Sequence, residues 1–212
     1  AGSRSIIVLV AAHVRDGRAV NLSARGLRDE WLPERVRRHL DRHDVDPTLL
    51  TLEITESSLL IDAPRARATI ERLNQQGIRL SVDDFGTGYS SLSYLRHLPV
   101  SELKIDRSFV ANVLFDEQDE VIVRSIIDLG HNLGMQVVAE GVETDEVLSR
   151  LKGFDCDVAQ GFGICRPVPL DSFVAWLSST QHPSRRRDPL RPGHWFDNPV
   201  DSTDQRLRGS ES

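Results

Sequence analysis

The 212 residues carry 39% hydrophobic and 27% charged side chains, the balance of a globular domain and not of a disordered or fibrous chain. Acidic residues outnumber basic ones, 32 to 26, and the net charge of −6 argues against a protein that coats nucleic acid, so no DNA partner is expected. The longest apolar run, Ile6 to Ala12, is too short to cross a bilayer, so no membrane segment is expected, and the two cysteines suit a reducing, cytoplasmic setting.

The chain opens Ala1-Gly2-Ser3 without a methionine and reads as an excised piece. Short apolar or β-branched runs then alternate with stretches of helical period. The runs are Ala19 to Leu22, Leu49 to Ile54, Ile78 to Val82, Glu102 to Ile105, Gln136 to Ala139 and Asp157 to Ala159. Between the first two lies a charged helix from Pro33 to His43, with His39 and His43 on a solvated face. Ala66, Ile70 and Leu73 share one helical face, closed by Gly77. A longer face holds Val121, Ile122, Ile126, Leu129 and Leu133 before Gly134, and a third holds Val147, Leu148 and Leu151 before Gly153. Strand and helix alternating in this way mean βα units and a parallel sheet, with strands such as Val137-Val138-Ala139 buried on both faces. Trp31 and Trp176 read as packing anchors, and Cys156 and Cys165 as buried thiols. The last 35 residues, Ser178 to Ser212, hold four of the ten prolines and Arg185-Arg186-Arg187, and read as a solvated, flexible tail. The expected organisation is an N-terminal segment over 1–18, a barrel domain over 19–177 and the tail over 178–212.

Open doubly wound sheets and closed (βα)8 barrels both satisfy this rhythm; the polar residues separate them. Nearly every apolar run ends in or contains one: Asn21, Glu53, the pair Asp83-Asp84, Lys104, Glu140 and Gln160. A barrel gathers the C-terminal ends of its strands on one face, whereas an open sheet spreads them along a crevice. Several carboxylates and an amide at one mouth suit Mg²⁺ or Mn²⁺ and not Zn²⁺, for which Cys or His would be expected. Adjacent Asp83 and Asp84 could hold two ions for in-line displacement at phosphorus. An Asp-Asp pair before glycine is, by itself, ordinarily a turn. Lys104 carries more information: only two of the 26 basic residues are lysine, so a lysine inside an apolar run signals need of a compact ammonium.

Asn21-Leu22-Ser23, Leu52-Glu53-Ile54-Thr55-Glu56, Asp83-Asp84-Phe85-Gly86-Thr87-Gly88-Tyr89, Leu103-Lys104-Ile105-Asp106, Ala139-Glu140-Gly141-Val142-Glu143 and Ala159-Gln160-Gly161-Phe162 follow in this order. Together they resemble the EAL domain, the cyclic-di-GMP phosphodiesterase family with a modified TIM barrel, from about Ala19 to Leu177. The resemblance implies that Asn21, Glu53 and Asp83 bind one Mg²⁺ or Mn²⁺, with Asp83 bridging to a second ion held also by Asp84. It implies that Lys104 and Glu140 orient or deprotonate the attacking water, with Gln160 assisting. Glu56 resembles the residue that anchors the loop of Phe85, Gly86, Thr87 and Gly88, a segment linked to substrate binding and dimerisation, so cyclic di-GMP and a second copy are the implied partners. The implied reaction is hydrolysis of cyclic di-GMP to linear pGpG.

The motif that names the family, Glu-Ala-Leu, does not occur, and only twenty residues precede Asn21. The chain therefore reads as an N-terminally truncated copy, a TIM-like barrel incomplete at its first strand. Either a partner chain or the run Ile6 to Ala12 is expected to stand in for that strand, since an unpaired edge leaves ladder groups unsatisfied. Weak or no hydrolysis is expected, because one metal-binding carboxylate is missing. The alternative is a module that binds cyclic di-GMP or a partner protein without hydrolysing anything.

Overall fold

The structure, a computed structural model, describes residues 18–88, 92–166, 168 and 172. All of them lie in the compact unit spanning Ala1–Val174. Ile6 to Ala12, Trp176 and the tail after Leu177 fall outside the described residues.

Six strands form one parallel sheet in sequence order: β1 (Arg18–Asn21), β2 (Leu50–Thr55), β3 (Arg79–Phe85), β4 (Glu102–Ile105), β5 (Gln136–Ala139) and β6 (Val158–Ala159). Helices connect them: α1 (Ala24–Leu27) and α2 (Leu32–Arg42), α3 (Glu56–Leu60) and α4 (Ala63–Gln75), α5 (Leu92–Leu95), α6 (Arg107–Asn112) and α7 (Glu117–Asn132), and α8 (Asp145–Gly153). A sheet in which each strand pairs with its successor through helical crossovers is the order of a βα barrel wall.

Alternation of side chains along each strand divides the sheet into two unlike faces. Leu52, Ile54, Leu80, Val82, Leu103, Ile105, Val137 and Ala139 are buried in the core. They share it with Ala66, Ile70 and Leu73 of α4, Val123, Ile126 and Ile127 of α7, and Val147 and Leu151 of α8. The alternate positions are mostly polar: Asn21, then Thr51, Glu53 and Thr55, Ser81 and Asp83, and Glu102 and Lys104. Val137-Val138-Ala139 is buried throughout, as its composition implies, whereas Ala19 and Asn21 of β1 are exposed.

The helix ends follow from local chemistry. Asp116 accepts from the amides of Gln118 and Asp119 at the start of α7, and three acidic residues occupy its first turn, where the helix dipole favours them. Gly134 ends α7 with φ +74°, a conformation that a β-carbon disfavours. At the end of α8 the sequence expectation shifts. Gly153 is the last helical residue, and the left-handed turn falls on Asp155 (φ 61°), after which the Cys156 amide returns to the Leu151 carbonyl.

Three further expectations are corrected. Val121 is 62% exposed, because α7 presents Val123, Ile126, Ile127 and Gly130 to the core and turns its neighbour outward. Trp31 is 71% exposed, since it sits at the N-cap of α2 and not on its packed side. Cys156 and Cys165 are half-buried rather than buried, and burial pushes the Cys156 thiol up to about 11. His39 and His43 are exposed, as expected. No described helix is long and apolar enough to cross a membrane.

Gly130 lets α7 lie close against β5: a β-carbon there would sit 2.3 Å from Val137 Cγ2. Alanine gains up to about 1 kcal/mol of helix propensity over glycine, while overpacking a core costs about 1–3 kcal/mol. Gly130→Ala should therefore lower the urea midpoint without changing the slope of the transition. An unchanged or raised midpoint would show that α7 can move away freely.

Candidate metal and phosphodiester site

The site lies at the C-terminal edge of the sheet, where successive strands carry polar side chains past the apolar core. Lys104 is its centre. It is only 4% exposed, and its Nζ donates to Glu53 Oε1 at 2.8 Å and lies 3.2 Å from Asp83 Oδ1 and 2.5 Å from Glu140 Oε1. Carboxylates of β2 and β3 and one just after β5 thus converge on an ammonium from β4. Burial opposes the charge on Lys104, but the hydrogen bonds to Glu140 and Glu53 outweigh it and hold the pKa above its ordinary value. Burial likewise pushes the Glu140 carboxyl up; Lys104 opposes that shift, while Asp83 and Glu53 add to it.

Asp83 and Asp84 belong to β3 and do not close it. Between Val82 and Phe85 the register to β4 shifts, and Asp84 takes a left-handed conformation with φ 55°. This bulge breaks the strict alternation that would otherwise send two adjacent side chains to opposite faces. The Asp84 amide donates to Asp83 Oδ1 at 3.1 Å. Burial, then the Asp83 and Asp106 charges, raise the Asp84 carboxyl above the usual range. Asp106 therefore belongs to the mouth. Its own carboxyl is held low, because hydrogen bonds from Ser108 outweigh the effect of burial.

Asn21 is exposed at the end of β1 and stands beside Glu53 in register. Gln160 is exposed directly after β6; its amide donates to the Ala139 carbonyl at 2.9 Å and its carbonyl accepts from Val142 at 3.0 Å. The structure thus joins Glu53, Asp83 and Glu140 through Lys104, and sets Asp84 against Asp106. Asn21 and Gln160 are placed by backbone pairing with neighbouring strands.

Glu56, at the start of α3, is 2% exposed, and its Oε2 accepts from Gly86 N at 2.9 Å and Gly88 N at 3.3 Å. A β-carbon on Gly88 would meet Glu56 Oε1 at 2.9 Å, so the loop passes too close for a side chain. Thr87 Oγ1 returns to the Asp84 carbonyl at 2.8 Å, and Phe85 is 6% exposed, so this loop is tied at both ends.

Sequence reasoning missed Asp106 as a facing group for Asp84, although it too ends a strand. It also missed Ser81 and Glu102, opposed in register beneath the site; burial raises the Glu102 carboxyl.

The donors fit a hard divalent cation in kind: Glu53, Asp83, Asp84, Asp106 and Glu140 are carboxylates and Asn21 is an amide; burial first, and then the Asp83 and Asp106 charges, raise the Asp84 carboxyl. Among the described residues no three acidic, His or Cys side chains are spaced to hold a metal ion by themselves; the ammonium of Lys104 occupies the middle of Glu53, Asp83 and Glu140.

A βα wall with these groups at its strand ends has clear relatives. The EAL domain family model matches residues 7–167, and the chain belongs to that family. It is 45% identical over 157 residues to the bifunctional diguanylate cyclase/cyclic di-GMP phosphodiesterase MucR of Pseudomonas aeruginosa, covering 74% of this chain and 23% of that protein. It is 40% identical over 168 residues to the cyclic di-GMP phosphodiesterase NbdA of the same species, covering 79% of this chain and 22% of that protein. The chain thus spans between a fifth and a quarter of these relatives. Among solved structures, the MucR phosphodiesterase in complex with c-di-GMP superposes with a TM-score of 0.71 at 44% identity, covering 74% of this chain and 64% of that one. The EAL domain of Mycobacterium smegmatis DcpA superposes with the same score at 38% identity, covering 78% and 74%.

Proposed function

We propose that this chain binds cyclic di-GMP at the mouth defined by Lys104 and hydrolyses it slowly to linear pGpG with Mg²⁺ or Mn²⁺. The observation that carries the reading is the convergence of Glu53, Asp83 and Glu140 on one buried ammonium, at the mouth of a fold shared with c-di-GMP-binding relatives. Asn21, Glu53 and Asp83 would hold one divalent ion, and Asp83 with Asp84 a second. When bound, such ions neutralise phosphate charge and lower the pKa of water.

The chain's own residues supply the rest. Lys104, held charged by its partners, balances the carboxylates and orients the water from the ammonium side. Glu140 is the carboxylate placed to accept the water proton, and Gln160 lies on the adjacent strand end. Water oxygen forms a bond to phosphorus as the bond from phosphorus to the 3′ oxygen breaks; the 3′ oxygen takes a proton from solvent and leaves as a hydroxyl, and a 5′ phosphate stays on the linear dinucleotide. Glu56 fixes the loop from Phe85 to Gly88, which borders substrate and, in the same reading, a second copy of the chain. The reading sets the chain in the cytoplasm, where unpaired Cys156 and Cys165 stay reduced.

The 212 residues contain no Glu-Ala-Leu, so one metal-binding carboxylate of the family pattern is missing, and turnover is expected to be weak. Removing groups that merely support metal ligands already costs about 10–100-fold. The ammonium of Lys104 in the middle of the carboxylates favours a second reading, a module that binds cyclic di-GMP without cleaving it. Calorimetry paired with chromatography separates the two. Glu140→Gln should retain binding and lose conversion. Conversion that survives Glu140→Gln would remove Glu140 from the proposed role.

A further inference from the structure

Phe162 is 59% exposed, a large aromatic side chain at the barrel mouth, two residues beyond Gln160. Single exposed aromatics are common and usually carry no meaning. This one is held in place. Gly161 and Gly163 lie so close to the next loop that a β-carbon on either would come 2.2 Å from the Val142 carbonyl oxygen and 2.5 Å from Glu143 backbone atoms. The Gly163 amide donates to the Val142 carbonyl at 2.9 Å, and the Ile164 and Cys165 amides close back on the Gly161 carbonyl. The ring is thus tied to the loop that follows Glu140.

The Arg166 guanidinium carbon lies 5.7 Å from the centroid of the Phe162 ring. Phe154 offers a contrast: it takes both Arg124 and Arg150, at 5.6 and 5.3 Å, and packs against the core. Phe162 has one guanidinium, with most of its surface open to solvent. Among the described residues Arg166 has no ion pair. Among the described residues it is thus an unpaired cation, six positions after Gln160 at the acidic mouth.

We infer that Phe162 and Arg166 form a nucleobase platform: a purine of the ligand stacks on the open side of the Phe162 ring, and Arg166 backs the ring and offsets phosphate charge. The inference rests on the proposed cyclic di-GMP reading and adds to it the residues that grip a base. Such a platform reads the π-face and not the base edge, so it supplies affinity more than choice among purines.

The test is titration of the whole chain with cyclic di-GMP and Mg²⁺, followed by calorimetry and, for Phe162→Trp, by fluorescence. Phe162→Ala and Phe162→Leu should each weaken binding about 5- to 150-fold, the range for loss of one base–aromatic stack. Phe162→Trp should keep the affinity, and its new indole should be quenched on saturation. Arg166→Ala should weaken binding less than Phe162→Ala. Wild-type affinity in Phe162→Leu, or no added quenching in Phe162→Trp, overturns the platform while leaving the functional reading intact. No binding by the wild-type chain overturns both.

Discussion

Lys104→Met should lower the stability of this chain by about 3–5 kcal/mol, the penalty for leaving buried charges without their partner. At this size that is a drop in melting temperature of roughly 10 °C. The argument is electrostatic and not volumetric. Methionine fills nearly the same space, but the carboxylates of Glu53, Asp83 and Glu140, with side chains only 12%, 13% and 21% exposed, lose their common counter-charge. Each then repels the others in a poorly solvated setting. Added Mg²⁺ should recover part of the loss, and recover more of it in Lys104→Met than in the wild type, because a divalent ion can replace the missing charge. Lys104→Arg keeps the charge but places a planar fork where one compact nitrogen meets three strands, so it should fall between the two. Thermal melts of the three proteins with and without Mg²⁺ measure this. Equal melting temperatures would show that the carboxylates do not depend on Lys104.

Glu56→Ala should have the second largest effect, this time on the loop and less on the core. Hydrogen bonds to a charged group contribute about 1.5–3 kcal/mol each, and Glu56 Oε2 accepts two from Gly86 and Gly88. Without the carboxylate, the segment after Asp83 and Asp84 loses its tether, and the amides of Gly86 and Gly88 should exchange with solvent faster. Glu56→Gln should lie between, since its one amide oxygen remains an acceptor but carries no charge. Hydrogen exchange read at these amides decides the matter, and unchanged protection in Glu56→Ala would contradict the anchor.

The strands were legible because apolar runs of three to six residues that end in, contain or precede a polar side chain have few other readings in a βα rhythm. Lys104 was legible through composition, as an avoided residue type inside an apolar run. What escaped the sequence concerns relations between elements. Val121 and Val123 are both apolar and two residues apart; only the packing of α7 on β4 and β5 decides which is buried. The bulge at Asp83-Asp84 is a matter of register with β4, which local composition does not encode. The approach of Asp106 to Asp84 likewise depends on the pairing of β3 with β4. The acids at the mouth were thus readable as a set, while their pairing was not: Lys104 gathers three of them and Asp106 faces a fourth.

The most direct test of this account is incubation of the 212-residue chain with cyclic di-GMP in ¹⁸O-labelled water, followed by mass spectrometry. With Mg²⁺ or Mn²⁺, slow formation of linear pGpG carrying one ¹⁸O on its terminal phosphate is expected. A chelator, or Lys104→Met, should abolish it. Failure of the chain either to bind or to convert cyclic di-GMP in the presence of these ions would contradict the assignment of the Lys104 mouth to this dinucleotide.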